Sequence, residues 1–289
     1  MSYLDKVRAC NAWDPLSFIP WTLAGERIGS IRPAFAAELR RWPRQFRVDD
    51  ERVDWFGAPA DVDARTRVLA DMVETLVADG LIGHLQGEGY AVTPGRRDQA
   101  RCLIDRAAAP WFGVRAFGQH LNGYVLTSSG ERGQGIELWI GRRAADRRVY
   151  PLHLDNLVAG GLPHGVSLRE NLRKECREEA DIAPELADQA VAVGAVTYCR
   201  ASAEGLKPDV MYCYDLELPA AFVPRCTDGE VEGFYRLPLT EVARLVRETG
   251  EFKLNCNLVL IDFLIRHGQI PQDDPDYLPI IQGLRSPLP

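Results

Sequence analysis

The chain has 289 residues, 46% of them hydrophobic and 26% charged, with a formal net charge of −7. This length and apolar share suit one large or two ordinary domains with packed cores, and they exclude a disordered chain. The negative balance argues against non-specific nucleic-acid binding; no apolar run reaches a membrane span, and Met1-Ser2-Tyr3-Leu4-Asp5-Lys6 lacks a signal-peptide core.

Residues 1 to about 105 read as mainly helical. Asp14-Pro15 and Ile19-Pro20 mark an irregular start, and Pro33 to Trp42 carries an apolar stripe at Phe35, Leu39 and Trp42 that Pro43 ends. Ala64 to Gly80 is the clearest amphipathic helix, with Val68, Leu69, Met72, Val73, Leu76 and Val77 inward and Gly80 at its C-terminus. Trp55-Phe56 and Tyr90-Ala91-Val92 read as short strands, and Arg97 to Arg106 as one more helix. Pro110 closes a module assigned to residues 1–108. Trp13, Trp21, Trp42 and Trp55 load it heavily with aromatic surface. Such a module is expected to pack on the rest and help form the substrate pocket; the alternative is a stabilising appendage alone.

From about Phe112 the period shortens towards two, opening a second module of residues 109–289. Gly113 to Thr127 and Gly135 to Arg142 read as strands around a Ser128-Ser129-Gly130-Glu131-Arg132-Gly133 turn. Further strands fall near Gln189 to Cys199, Asp209 to Leu218 and Val231 to Leu237. Helices fall at Pro238 to Glu248 and Asn255 to His267. Strands with helices on two sides predict an α/β/α sandwich.

The centre of this module carries the most chemistry. Gly160 and Gly161 follow the apolar Leu157-Val158-Ala159, and Ser167 with Glu170 forms a capping box that starts a helix. A strand, glycine turn and capped helix aim backbone N–H groups at an anion. At 3.6 residues per turn, Glu175, Glu178 and Glu179 fall within a sector of roughly 100°. Three such carboxylates repel one another, so a positive partner is expected among them; Lys174 and Arg177 lie to one side. A hard divalent cation with oxygen ligands fits this set, Mg²⁺ above all, with Mn²⁺ able to substitute.

The segment resembles the Nudix box, G-x5-E-x7-R-E-U-x-E-E-x-G-U, with U a bulky apolar residue. Gly161 matches the opening glycine, Glu175 the glutamate of R-E-U, Cys176 the first U, Glu178 and Glu179 the E-E pair, and Ile182 the last U. The loop is one residue short, Val166 takes the slot of the first glutamate, Lys174 replaces the arginine and Asp181 the last glycine. Leu154-Asp155-Asn156-Leu157-Val158-Ala159-Gly160-Gly161, the stretch from Trp111 to Tyr124 and the stretch from Phe252 to Gly268 are similar to one Nudix branch. That branch includes the Nudix portion of fungal thiamin pyrophosphokinase, and its members carry an extra N-terminal domain. The resemblance implies a Nudix α/β/α sandwich with a smaller, mainly helical N-terminal domain. It also implies hydrolysis of a small-molecule diphosphate, with Glu175, Glu178 and Glu179 as metal ligands. Thiamin diphosphate or its damaged analogues, cut to the monophosphate, are the substrates it suggests. Nucleoside diphosphate derivatives are the alternative, with Asn122, Asn156 or Gln119 at a base edge. A catalytically inactive binding or regulatory module and a Nudix-fold isomerase are the competing classes.

Other residues stay open between function and structure. Glu230 and Glu232 share a strand face at i, i+2, either as a carboxylate outside the box, with Glu230 preferred, or as a solvated loop. Arg115, His120 and Asn122 read as one strand face that binds substrate or bonds across the module junction. His164 sits in the glycine loop, to reach a phosphate or hold a turn. Trp111, Phe112, Tyr124 and Tyr198 are candidate ring-stacking groups. Seven cysteines without a C-x-x-C pair indicate a reducing, cytoplasmic setting, with Cys199 and Cys213 as core residues. The oligomeric state stays open, with a homodimer as one outcome.

Overall fold

The computed structural model describes residues 2–127 and 135–289; the turn expected at Ser128 to Gly133 lies outside them. The first part of the chain runs α1 (Tyr3–Cys10), β1 (Ile19–Leu23), β2 (Glu26–Ile31), α2 (Pro33–Leu39), β3 (Arg47–Val48), β4 (Val53–Asp54), α3 (Val62–Ala78), β5 (Gly89–Val92), β6 (Cys102–Asp105) and α4 (Ala109–Phe112). The expectation of a mainly helical module is thereby corrected. Four strands form a sheet in the order β2-β1-β4-β3, and β5 pairs with β6 in a separate hairpin.

These strands are short, so their period-2 signal spans few residues. In β1, Ile19, Trp21 and Leu23 are buried while Pro20 and Thr22 are half-exposed. Within β1, only Trp21 and Thr22 pair with β4; Pro20, which has no N–H to give, stays outside that ladder. Arg97 to Arg106 is a turn followed by β6, where buried Cys102 and Ile104 alternate with Leu103 and Asp105. The expected helices α2 and α3 do form. Asp61 accepts the Ala64 N–H at 2.7 Å at the start of α3, and Gly80 takes a φ of +75° just beyond its end. Trp55 follows β4 and stacks on Trp21 at 5.8 Å, while Phe112 meets Trp21 at 5.0 Å. These rings form the module's core.

The second part runs β7 (Ala116–Leu126), β8 (Ile136–Arg143), β9 (Leu154–Asp155), β10 (Val158–Gly161), α5 (Leu168–Ala180), α6 (Pro184–Ala187), β11 (Val191–Ser202), β12 (Gly205–Glu217), β13 (Val231–Pro238), α7 (Leu239–Glu248), α8 (Cys256–Arg266) and α9 (Tyr277–Gly283). Its mixed sheet has the order β11-β12-β7-β8-β13, with β10 on β7 and β9 on β8. β7 runs parallel to β12 and antiparallel to β8 and β10. On one face Leu172, Cys176 and Ala180 of α5 pack with Leu121, Val158 and Leu216. On the other, Val242, Val246, Leu258 and Ile261 of α7 and α8 pack with Leu138, Ile140 and Cys213. That is the α/β/α order. α1, first in the chain, buries Tyr3, Leu4, Val7 and Cys10 in this second core, so the two parts share chain across the boundary expected near residue 108. No helix among the described residues is long and apolar enough to cross a membrane.

Candidate active site

Helix α5 starts as the sequence dictates. Ser167 Oγ accepts the Glu170 N–H at 3.2 Å, and Glu170 Oε2 accepts the Ser167 N–H at 3.0 Å. The helix ends at Asp181 with a φ of +53°, the left-handed conformation that aspartate tolerates better than most residues. Leu172, Cys176 and Ala180 are driven into the core, so Glu175, Glu178 and Glu179 emerge along its border.

The three carboxylates occupy different environments. Glu175 lies against Gly160: a Cβ added there would sit 2.5 Å from its Cγ and Oε2. Gly160 is therefore a gap that the Glu175 side chain fills. Lys174 Nζ stands 3.3 Å from Glu175 Oε1 and 2.9 Å from Glu178 Oε2, so this lysine bridges two carboxylates instead of lying to one side as expected. Glu179 is only 7% exposed and accepts the Ala159 N–H at 2.8 Å through Oε2. Burial raises the Glu175 carboxyl, assisted by Glu178 and Glu230 and opposed by Lys174. Burial, followed by the charge of Asp155, lifts Glu179 to about 8.

The donor set suits a hard cation. All donors are carboxylate oxygens, and a lysine ammonium already stands between Glu175 and Glu178 where a positive charge is needed. The three glutamates do not converge as a closed cage. Among the described residues, the one set of three ligating atoms within 4.8 Å is His120, Asp155 and Cys256. That set does not suit a cation, because Asp155 is bonded by Arg143 at 3.0 Å, Lys253 at 3.1 Å and the Cys256 thiol at 2.6 Å. Burial also pushes the Cys256 thiol well up, so the thiolate that would ligate a metal does not form there at neutral pH.

Glu230 stands at the edge of the acidic region, where its charge raises Glu175, and Arg147 Nη1 binds its Oε1 at 2.7 Å. It does not share a strand face with Glu232: it precedes β13, and a bulge between Val231 and Gly233 breaks the alternation. Gly160 and Gly161 close β10. His164 is held by its backbone, whose N–H donates to Gly89 O at 2.8 Å.

Arg115, His120 and Asn122 do not form one exposed face. Arg115 precedes β7 and donates to Gly95 O at 3.1 Å. His120, Asn122 and Asn156 are buried and bond one another: His120 Nδ1 meets Asn156 Oδ1 at 2.9 Å, Asn156 donates to Asn122 at 2.8 Å, and Asn122 donates to Asp215 at 3.0 Å. Gln119 is spent on Leu168 O and Asn171. The expected stacking groups are also occupied elsewhere. Phe112 and Tyr198 are buried, Trp111 packs on Phe35 at 5.3 Å, and Tyr124 packs on Phe263 of α8 at 5.9 Å, across the sheet from α5.

Sequence reasoning expected the first module to pack on the second but did not place its contacts on the box loop. Besides the Gly89–His164 bond, Arg97 donates to Pro163 O at 3.0 Å and the Tyr90 hydroxyl lies against Gly161; outside that loop, His84 meets Arg148 in the connection from β8 to β9. These partners stand some 60 residues or more away in sequence, and no local pattern marks them. Asp155 lay within the quoted L-D-N stretch, but its place beneath Glu179 is a tertiary fact.

Residues 2–116 match a family described as a domain of unknown function, DUF4743. Over 98% of its length the chain is 41% identical to "Nudix hydrolase 20, chloroplastic" and 42% identical to "Nudix hydrolase 24, chloroplastic", both of Arabidopsis thaliana, covering 78% of each. It is also 32% identical to "Uncharacterized protein YJR142W" of Saccharomyces cerevisiae, over 84% of this chain and 74% of that one.

Proposed function

The chain belongs to the Nudix hydrolases, enzymes of phosphoanhydride hydrolysis, and we propose that it cleaves thiamin diphosphate or its damaged analogues to the monophosphate at the α5 carboxylates. Nudix hydrolases typically use a divalent metal; Mg²⁺, with Mn²⁺ as substitute, is the ion proposed here. The observation that carries the site is the Lys174 ammonium between Glu175 and Glu178: the chain itself places a cation where the reaction needs one.

Glu175 and Glu178 would hold the metal, with Glu179 behind them on the Ala159 N–H. When bound there, such a cation would supply charge neutralisation for the diphosphate and acidify the attacking water. Gly160 leaves room for the Glu175 side chain, and the backbone of the glycine turn faces the substrate's negative oxygens. Glu230 or a box glutamate takes the proton of the attacking water; Arg147 keeps Glu230 oriented for that task.

The ring-binding part rests on the similarity of residues 111–124 and 252–268 to the Nudix portion of fungal thiamin pyrophosphokinase. The carboxylate-rich setting of Glu175, Glu178 and Glu230 suits a cationic thiazolium ring. The groups expected to read a base edge, Gln119, Asn122 and Asn156, are buried and bonded inside the fold. The test is a panel of thiamin diphosphate, oxythiamin diphosphate, ADP-ribose, NADH and dGTP with Mg²⁺. The highest kcat/KM should fall on a thiamin compound. A preference of about tenfold or more for a nucleotide, roughly 1.4 kcal/mol in transition-state binding, would sink the thiamin assignment and leave the carboxylate chemistry standing.

A further inference from the structure

The glycine turn that leads into α5 is covered by side chains of the first module. A Cβ added at Gly161 would run into the Tyr90 hydroxyl and would stand 3.2 Å from Arg106 Nη1 and 3.4 Å from Arg106 Cζ. Arg106 follows β6, and its guanidinium reaches over the Tyr90 ring, 5.9 Å from the centroid. Nη1 pairs with Glu88 Oε2 at 3.0 Å, and both side chains keep about two-fifths of their surface exposed (42% and 39%). Among the described residues, Nε and Nη2 make no hydrogen bond. A half-exposed guanidinium with free N–H groups thus lies within van der Waals reach of the backbone that opens the box.

The substrate's charge makes this placement matter. A diphosphate carries at least two negative charges and must approach Glu175, Glu178 and Glu230. The near cations on the catalytic side are engaged, Lys174 with two carboxylates and Arg147 with Glu230. Arginine presents paired donors that match phosphate oxygens.

Resting on the hydrolase reading above, we propose that Arg106 binds a phosphate group of the diphosphate substrate, so that the first module supplies part of the substrate site. Tyr90 supports the guanidinium from below, and Glu88 takes only its Nη1, leaving the other N–H groups for the phosphate. The bonds from His164 to Gly89 and from Arg97 to Pro163 fix the hairpin on the loop, which keeps the arginine in register with the turn.

The test uses the full-length protein with Arg106→Gln, Arg106→Lys and Glu88→Gln. Two readouts are taken: KM and kcat for the best diphosphate of the panel, and calorimetric binding of methylenediphosphonate, a diphosphate that cannot be hydrolysed. Losing a charge-assisted phosphate contact should raise KM and weaken diphosphonate binding about tenfold or more in Arg106→Gln. Arg106→Lys should recover part of this, and kcat should change far less. Glu88→Gln breaks the ion pair but keeps the arginine, so both readouts should stay within about twofold of wild type or improve. If Glu88→Gln is impaired as much as Arg106→Gln, the ion pair is structural and the proposal is overturned. Unchanged binding in Arg106→Gln also overturns it. Should Arg106→Gln not fold, Arg106→Lys against Glu88→Gln decides by the same criteria. If wild type and Glu178→Gln hydrolyse the substrate equally, the carboxylate reading fails by itself, and diphosphonate binding still scores Arg106.

Discussion

Gly160→Ala adds one methyl group where the Glu175 side chain now sits. The new Cβ would lie 2.5 Å from Glu175 Cγ and Oε2, and ordinary contact begins at 3.4 Å. The glutamate must therefore retreat by about an ångström, because the opposing atoms belong to strand β10 and its ladder with β7. Gly160 does not have a positive φ, so alanine adds no backbone strain and the clash is the whole effect. Overpacking of this kind costs about 1–3 kcal/mol of stability. A misplacement of about 1 Å in a catalytic constellation costs about 10²-fold in rate. The expected outcome is a folded protein whose kcat/KM falls about 10²-fold at saturating Mg²⁺. Gly233→Ala, which meets nothing within 4 Å and also has no positive φ, should match wild type. Steady-state kinetics with a chemical denaturation curve for each variant measures both effects. If Gly160→Ala keeps wild-type kcat/KM and stability, Glu175 is not held in the position on which the site depends.

Two further outcomes follow from the surroundings of the site. Burial brings His120 down from 6.5 to about 4, so on acidification the unfolded chain takes up this proton first; stability should be lost between about pH 6.5 and pH 4, by on the order of 3 kcal/mol. Urea titrations across that range should show a shallower loss in His120→Gln, and equal slopes in the two proteins would refute the assignment. Gly161→Ala drives a methyl group into the Tyr90 hydroxyl and should destabilise by about 1–3 kcal/mol. Adding Tyr90→Phe removes that oxygen and should return at least about 1 kcal/mol in a double-mutant cycle; strict additivity would show that the two residues do not touch.

The second module was legible because its signals are long or local. β7 and β12 each exceed ten residues, and the Ser167–Glu170 box and the Asp181 end are set by side chains a turn away. The first module was not. β3 and β4 have two residues each, too few to show a period, and Pro20 in β1 argued against a strand that the sheet tolerates because β4 is short. At the site, helical spacing put Glu175, Glu178 and Glu179 together, but it did not show that Glu179 turns inward to the Ala159 N–H. Nor did it show that Lys174 bridges the other two. Asparagines and a histidine on β7 have the polarity of a binding surface, and only the sheet register with β10 and β12 shows them closing on one another inside the fold.

The most direct measurement is the rate of hydrolysis of the best diphosphate as a function of Mg²⁺ concentration, for wild type, Glu175→Gln and Glu178→Gln. Wild type should be inactive after chelation and recover with Mg²⁺ or Mn²⁺. Each variant should need more cation and remain about 10²-fold or more slower at saturation, because removing a metal-holding carboxylate weakens transition-state charge stabilisation. Cation-independent hydrolysis, or variants as fast as wild type at every concentration, would contradict the assignment of the reaction to these carboxylates.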